Sequence, residues 1–148
     1  MQVADVRRLE MPELKIIGYN YAAVHVAVHV IVAALLYFAV QPSLTFDLGK
    51  AAAVAIGTAA LDFDHVPLWM QVGIIGYLKL RSVEEYGKPR KYMLHNLMVL
   101  FIALGGSLMV ALSEYFLIGL FFVAVTLHIT WDFLEDVAIF RMGYRHWI

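Results

Sequence analysis

Charged residues punctuate this chain, and the stretches free of Asp, Glu, Lys and Arg can be read directly. The first runs from Ile16 to Phe46. The second, Ala51–Leu61, is short and rich in small residues, and it ends in Asp62-Phe63-Asp64-His65. The third, Val66–Leu78, holds Pro67 at its start, and Tyr92–Ser113 and Tyr115–Trp131 complete the series. A spanning helix needs about 20 apolar residues, within a range of roughly 17–25. The first, fourth and fifth stretches meet that length as they stand. Residues 48–80 allow two arrangements: one crossing broken at DFDHVP and followed by an interfacial or re-entrant segment, or two short crossings.

Basic residues separate the two. With four spans, both termini and the 79–91 loop lie on one side and carry ten of the eleven Lys and Arg residues, leaving Lys50 alone opposite. With five spans this segregation collapses, against the positive-inside rule. The pattern therefore predicts an all-α integral membrane bundle, one domain over 1–148. Its spans fall near 17–40, 48–62, 92–112 and 115–134, with 66–80 interfacial or re-entrant. Both termini are expected in the cytoplasm, the protein lying in the inner or plasma membrane. Pro67 predicts a helix break beside His65, because proline removes a donor and clashes with the preceding turn. Such a break is tolerated at membrane depth where it is buried in protein or lines a wet cavity.

Composition strengthens the membrane assignment. Hydrophobic residues make up 62% of the chain, against roughly 45–50% in soluble domains, and mean hydropathy is +0.75. A soluble domain of this size has too much surface for its volume to hide so many apolar groups, so the lipid bilayer is the expected partner. The first apolar segment is expected to be retained, since mixed charges precede it and no small-residue cleavage site closes it. Zero cysteines exclude disulfides, thiolate metal sites and cysteine nucleophiles. No basic cluster is interleaved with aromatics, so nucleic acid is not an expected partner.

The placement of ionisable residues adds the chemistry. His25 and His29 lie one helical turn apart in the first half of span one. Asp62, Asp64 and His65 close span two, His95 and Asn96 open span three, and His128 and Asp132 lie one turn apart near the end of span four, with Glu135 and Asp136 beyond. In an up-down-up-down bundle these positions share the cytoplasmic half. At about 1.5 Å per residue, His25 sits roughly 9 Å in from Tyr19 and His29 roughly 15 Å. Glu135 and Asp136 fit a solvated helix end, and His29 fits a packing residue as readily as a ligand. Asp62, Asp64 and Asp132 point to function, because an acid inside a membrane helix is costly without a partner. His146, in the tail RMGYRHWI, reads as an interfacial anchor.

Imidazole and carboxylate together suit one or two divalent ions such as zinc, manganese or iron. His128-Ile-Thr-Trp-Asp132 puts both side chains on one helical face. Asp62-Phe-Asp64 would do so only on an extended or broken backbone. The metal candidates are His25, Asp62, Asp64, His65, His95, His128 and Asp132, with His29, Asn96 and Glu135 behind them.

The ordered series His25, then Leu61-Asp62-Phe63-Asp64-His65-Val66-Pro67, then Arg90-Lys91-Tyr92-Met93-Leu94-His95-Asn96, then His128-Ile-Thr-Trp-Asp132 resembles a known family. It is similar to the membrane-bound metal-dependent hydrolases, some of which are regulated by the LexA SOS repressor. In that family the third motif opens with a histidine before the arginine, a place that this chain fills with Pro89 or Arg90. The resemblance implies a metal site and hydrolysis of an ester or phosphoester, lipid-linked given the location, and Asp64 and Arg90 are the candidate catalytic residues. Arg90 or Lys91 at the mouth of the site can receive a phosphate, and positive-inside topology accounts for the same residues.

Two other classes compete. A b-type haem or quinone-binding bundle would use the histidines but has no use for three nearby aspartates. A metal or proton transporter needs polar groups through the opposite half as well, and residues 30–40 and 100–112 offer little beyond Ser107; a homodimer is one way to complete such a route. A purely structural membrane protein is the remaining alternative.

Overall fold

The computed structural model describes residues 21–43, 45–78 and 94–135. Arg90, Lys91, Asp136, His146, the N-terminal and 79–91 basic residues and the outer ends of several expected spans lie outside them. The described residues form helices and connecting turns with no strand: α1 (Tyr21–Val40), α2 (Leu48–Ala59), α3 (Val66–Leu78), α4 (Leu97–Ser107) and α5 (Phe116–Leu134). A 3-10 turn, Leu61–His65, joins α2 to α3, and two more, Leu108–Ala111 and Ser113–Tyr115, join α4 to α5. Ala23–Val40 and Ser113–Leu134 are long and apolar enough to cross a membrane; Leu97–Ala111 is apolar but shorter.

Helix α5 is the central element, packed against α2 and α4 and more lightly against α1. Leu120, Ala124, His128 and Asp132 are all buried, and their spacing of four places them in one row along the helix. The row that packs the bundle thus carries two chemical groups inward at its C-terminal end. Small residues let the helices approach. A Cβ built on Gly57 would fall 2.5 Å from the Phe121 carbonyl oxygen and 2.9 Å from the Ala124 Cβ, the close backbone contact that small residues provide between membrane helices.

Burial is inverted relative to a water-soluble domain. The described residues bury seven hydrophobic side chains and eight polar or charged ones, while Val30, Leu35, Phe38, Met70, Ile74 and Phe101 stand exposed. Helix α1 is the extreme case: of residues 23–40, only His25 and His29 are buried.

The break expected at Pro67 takes a milder form. The chain tightens from α to 3-10 at Leu61 and resumes α-helix at Val66, with Ala60 (φ −59°, ψ −35°) and Val66 (φ −53°, ψ −43°) both right-handed helical. Pro67 is the second residue of α3, in the first turn, where proline is tolerated better than in a helix interior. The true interruption is at Gly73, whose φ of 71° and ψ of 161° divide α3. Glycine tolerates that conformation because it has no Cβ.

Candidate metal centre

The start of α1, the turn after α2, the start of α4 and the last turns of α5 meet at one end of the bundle. There His25 and His29 from α1, His95 from just before α4, and His128 from α5 surround Asp132. All five are buried, with exposures between 1% and 9%.

Asp132 is the hub. Its Oδ1 lies 3.2 Å from His29 Nε2 and 3.7 Å from His25 Nε2, while its Oδ2 lies 3.1 Å from both His95 Nε2 and His128 Nε2. His29 Nε2, His128 Nε2 and Asp132 Oδ1 are fully buried yet make no hydrogen bond. Buried polar atoms without hydrogen bonds are expensive, and a cation placed among them would satisfy the set. The candidate ligand atoms form two groups, His25/His29/Asp132 and His95/His128/Asp132, each with all its atoms within 4.8 Å of one another.

The other nitrogen of every ring faces away from the hub and meets an oxygen. His25 Nδ1 pairs with Glu135 Oε2 at 2.8 Å, and His29 Nδ1 donates to the His25 carbonyl at 2.9 Å. His128 Nδ1 donates to the Thr58 carbonyl, and His95 Nδ1 lies 3.4 Å from Asp64 Oδ2. An acceptor on Nδ1 favours the tautomer with its proton there, in which Nε2 offers its lone pair inward. Metal-ligating histidines show this arrangement, in which a carboxylate or carbonyl fixes the tautomer and ring orientation.

The remaining expected residues fall around this set. Asp62 and Asp64 do not share a position: on the helical backbone of the Leu61–His65 turn they diverge. Asp62 Oδ1 lies 3.9 Å from His128 Nε2, with about a quarter (26%) of its side chain exposed. Asp64 instead accepts from the Leu94 amide at 2.6 Å and supports His95 from behind. A D-x-D pair converges only on an extended backbone, and here the chain stays wound. His65 is buried, its ring edge-on to His95 at a centroid distance of 5.3 Å, and belongs to neither group of ligand atoms. Asn96 caps α4, its Oδ1 accepting from the Val99 amide at 3.0 Å. Glu135 is buried rather than solvated, and His29 stands inside the cluster, with its ring 4.0 Å from that of His128.

One contributor has no trace in the sequence pattern, the Thr58 carbonyl. Backbone acceptors are common to every residue, so only the fold reveals which one a histidine will find. Comparison of the chain with protein families, curated proteins and solved structures returns no match.

Proposed function

We propose that this chain is a membrane-embedded, metal-dependent hydrolase acting on an ester or phosphoester, lipid-linked in view of its setting, from a His/Asp centre on the cytoplasmic side. In this reading α2 with its following turn and Leu97–Ala111 cross the bilayer beside α1 and α5, making four spans with both termini in the cytoplasm. The apolar exterior and polar interior support a lipid-solvated bundle.

The observation that carries the metal is the common orientation of four imidazoles, each with Nδ1 held by an oxygen and Nε2 turned to Asp132. Four nitrogens and a carboxylate fit a borderline ion, zinc foremost, with manganese or iron as alternatives. A divalent ion in this donor set supplies Lewis acidity and activates water for hydrolysis. His25, His29, His95, His128 and Asp132 hold it, and Glu135, Asp64 and the Thr58 carbonyl orient the rings. Asp62, partly exposed and 3.9 Å from His128 Nε2, is placed to take a proton at its carboxylate from an incoming nucleophile. Arg90 is assigned phosphate recognition by sequence alone.

Transport is disfavoured by what lies deeper. Val54, Leu120 and Ala124 are buried along the bundle away from the cluster, and they give a moving ion no ligands. Haem is disfavoured because the Nε2 atoms converge on a carboxylate, where an axial ligand pair would face an iron between them.

The test is metal content by elemental mass spectrometry on detergent-purified protein, beside Asp132→Ala and His128→Ala, followed by a screen of phosphodiester, phosphomonoester and carboxylic ester substrates. Stoichiometric metal, abolished in Asp132→Ala and reduced in His128→Ala, together with metal-dependent turnover, is the expected result. A metal-free protein overturns the metal reading, and a loaded protein inert toward every ester class overturns hydrolysis.

A further inference from the structure

The two groups of ligand atoms do not use Asp132 in the same way. His25 and His29 approach Oδ1, at 3.7 and 3.2 Å. His95 and His128 approach Oδ2, both at 3.1 Å. One carboxylate thus presents each of its oxygens to a separate histidine pair. The pairs also come from different parts of the chain: α1 supplies the first, and the start of α4 with the end of α5 supplies the second.

We propose that the centre is binuclear, with Asp132 bridging two divalent ions, one held by His25, His29 and Oδ1, the other by His95, His128 and Oδ2. This rests on the metal-binding reading above and deepens it. The separations fit. Two ligands about 2.0–2.1 Å from a zinc ion at the tetrahedral angle lie about 3.3 Å apart, and the four nitrogen–oxygen distances run from 3.1 to 3.7 Å. Oδ1, His29 Nε2 and His128 Nε2 are buried without hydrogen bonds. These atoms without hydrogen bonds come from both groups, so filling only one position would leave part of the set unsatisfied.

The two positions are unequal in surroundings. Asp62 stands 3.9 Å from His128 Nε2 and is partly exposed, so the His95/His128 position has a further carboxylate and a way out. The His25/His29 position is backed by Glu135, which is itself buried. The first is therefore the position open to substrate, and the second is the enclosed one that fastens α1.

The experiment is metal stoichiometry after loading purified, chelator-stripped protein with zinc, for wild type, His29→Ala, His95→Ala and Asp132→Ala, paired with electron paramagnetic resonance of wild type loaded with manganese(II). Two equivalents in wild type, one in each histidine variant and none in Asp132→Ala are expected. The manganese form should show an exchange-coupled multiline signal, and this reading needs no variant to fold. One equivalent in wild type, or an uncoupled six-line manganese signal at two equivalents, overturns the bridged pair while leaving the metal reading intact. No binding at all overturns both.

Discussion

The bundle has a polar cluster at each end, and the two are built on opposite principles. At the α1–α2 connection, Gln41 Nε2 donates to Ser43 Oγ and to the Thr45 carbonyl, and Lys50 Nζ donates to Gln41 Oε1 at 2.6 Å and to the Val40 carbonyl at 3.3 Å. The Asp47 amide donates to the Tyr37 hydroxyl, and the Asp47 carboxylate caps α2 by accepting from the Lys50 amide. These partners are two to ten residues apart, and donors meet acceptors throughout. At the other end the partners are up to 110 residues apart, and acceptors face lone pairs around one carboxylate. A turn closes itself with its own hydrogen bonds. A cluster that gathers four imidazoles from distant segments around one buried carboxylate has a donor set that could hold a cation.

The largest effect should come from the hub. Asp132→Ala removes a ligand from both positions and should lower zinc affinity by more than about 100-fold, beyond the roughly 10–100-fold that loss of a supporting partner costs. Competition with a chromogenic chelator measures this, and unchanged affinity would break the distinction between the two ends. Next come the supports. Glu135→Gln and Asp64→Asn should each weaken zinc binding by about 10–100-fold without abolishing it, since the ring ligands remain.

Metal removal should also have a mechanical effect confined to α1. His25 and His29 are the only buried side chains among residues 23–40, so a chelator should increase amide exchange in the first half of α1 more than in α5. Equal exchange in the two helices would show that α1 is held by packing instead.

Smaller effects sharpen the comparison. Lys50→Met should cost about 1–2 kcal/mol of stability by leaving Gln41 and Asp47 without their charged donor, with metal content unchanged. Asn96→Ala should cost about 1 kcal/mol, the worth of an N-cap, again with full metal content. Asn96 stands at the metal end yet does the same work as Asp47 at the other, and loss of metal in this variant would reassign it to the centre. Denaturation in detergent reads both.

Much of the centre was legible because helical spacing is rigid. His25 with His29, and His128 with Asp132, are four apart, and a helix has to put each pair on one face. The long charge-free stretches announced α1 and α5 for a similar reason. Legibility failed where direction depended on the local winding of the backbone, as for Asp62 and Asp64, whose separation follows from a 3-10 turn in place of a break. It also failed at helix ends. Nothing local distinguishes Glu135 from a solvated terminal acid; its burial comes from α1 lying alongside. Gly73 gave no signal of its interruption, because a glycine in an apolar run fits a continuous helix as well as a broken one.

The partnership between His25 and Glu135 has a consequence for how the protein is made. A ribosome adding about 5–20 residues per second delivers Glu135 some 5–20 s after His25. During that interval α1 is already made, but its two buried histidines have neither the Asp132 hub nor their Glu135 support. On the proposed metal reading the centre can therefore be filled only after α5 is made, and a chain truncated before α5 should contain α1 and no site to fill.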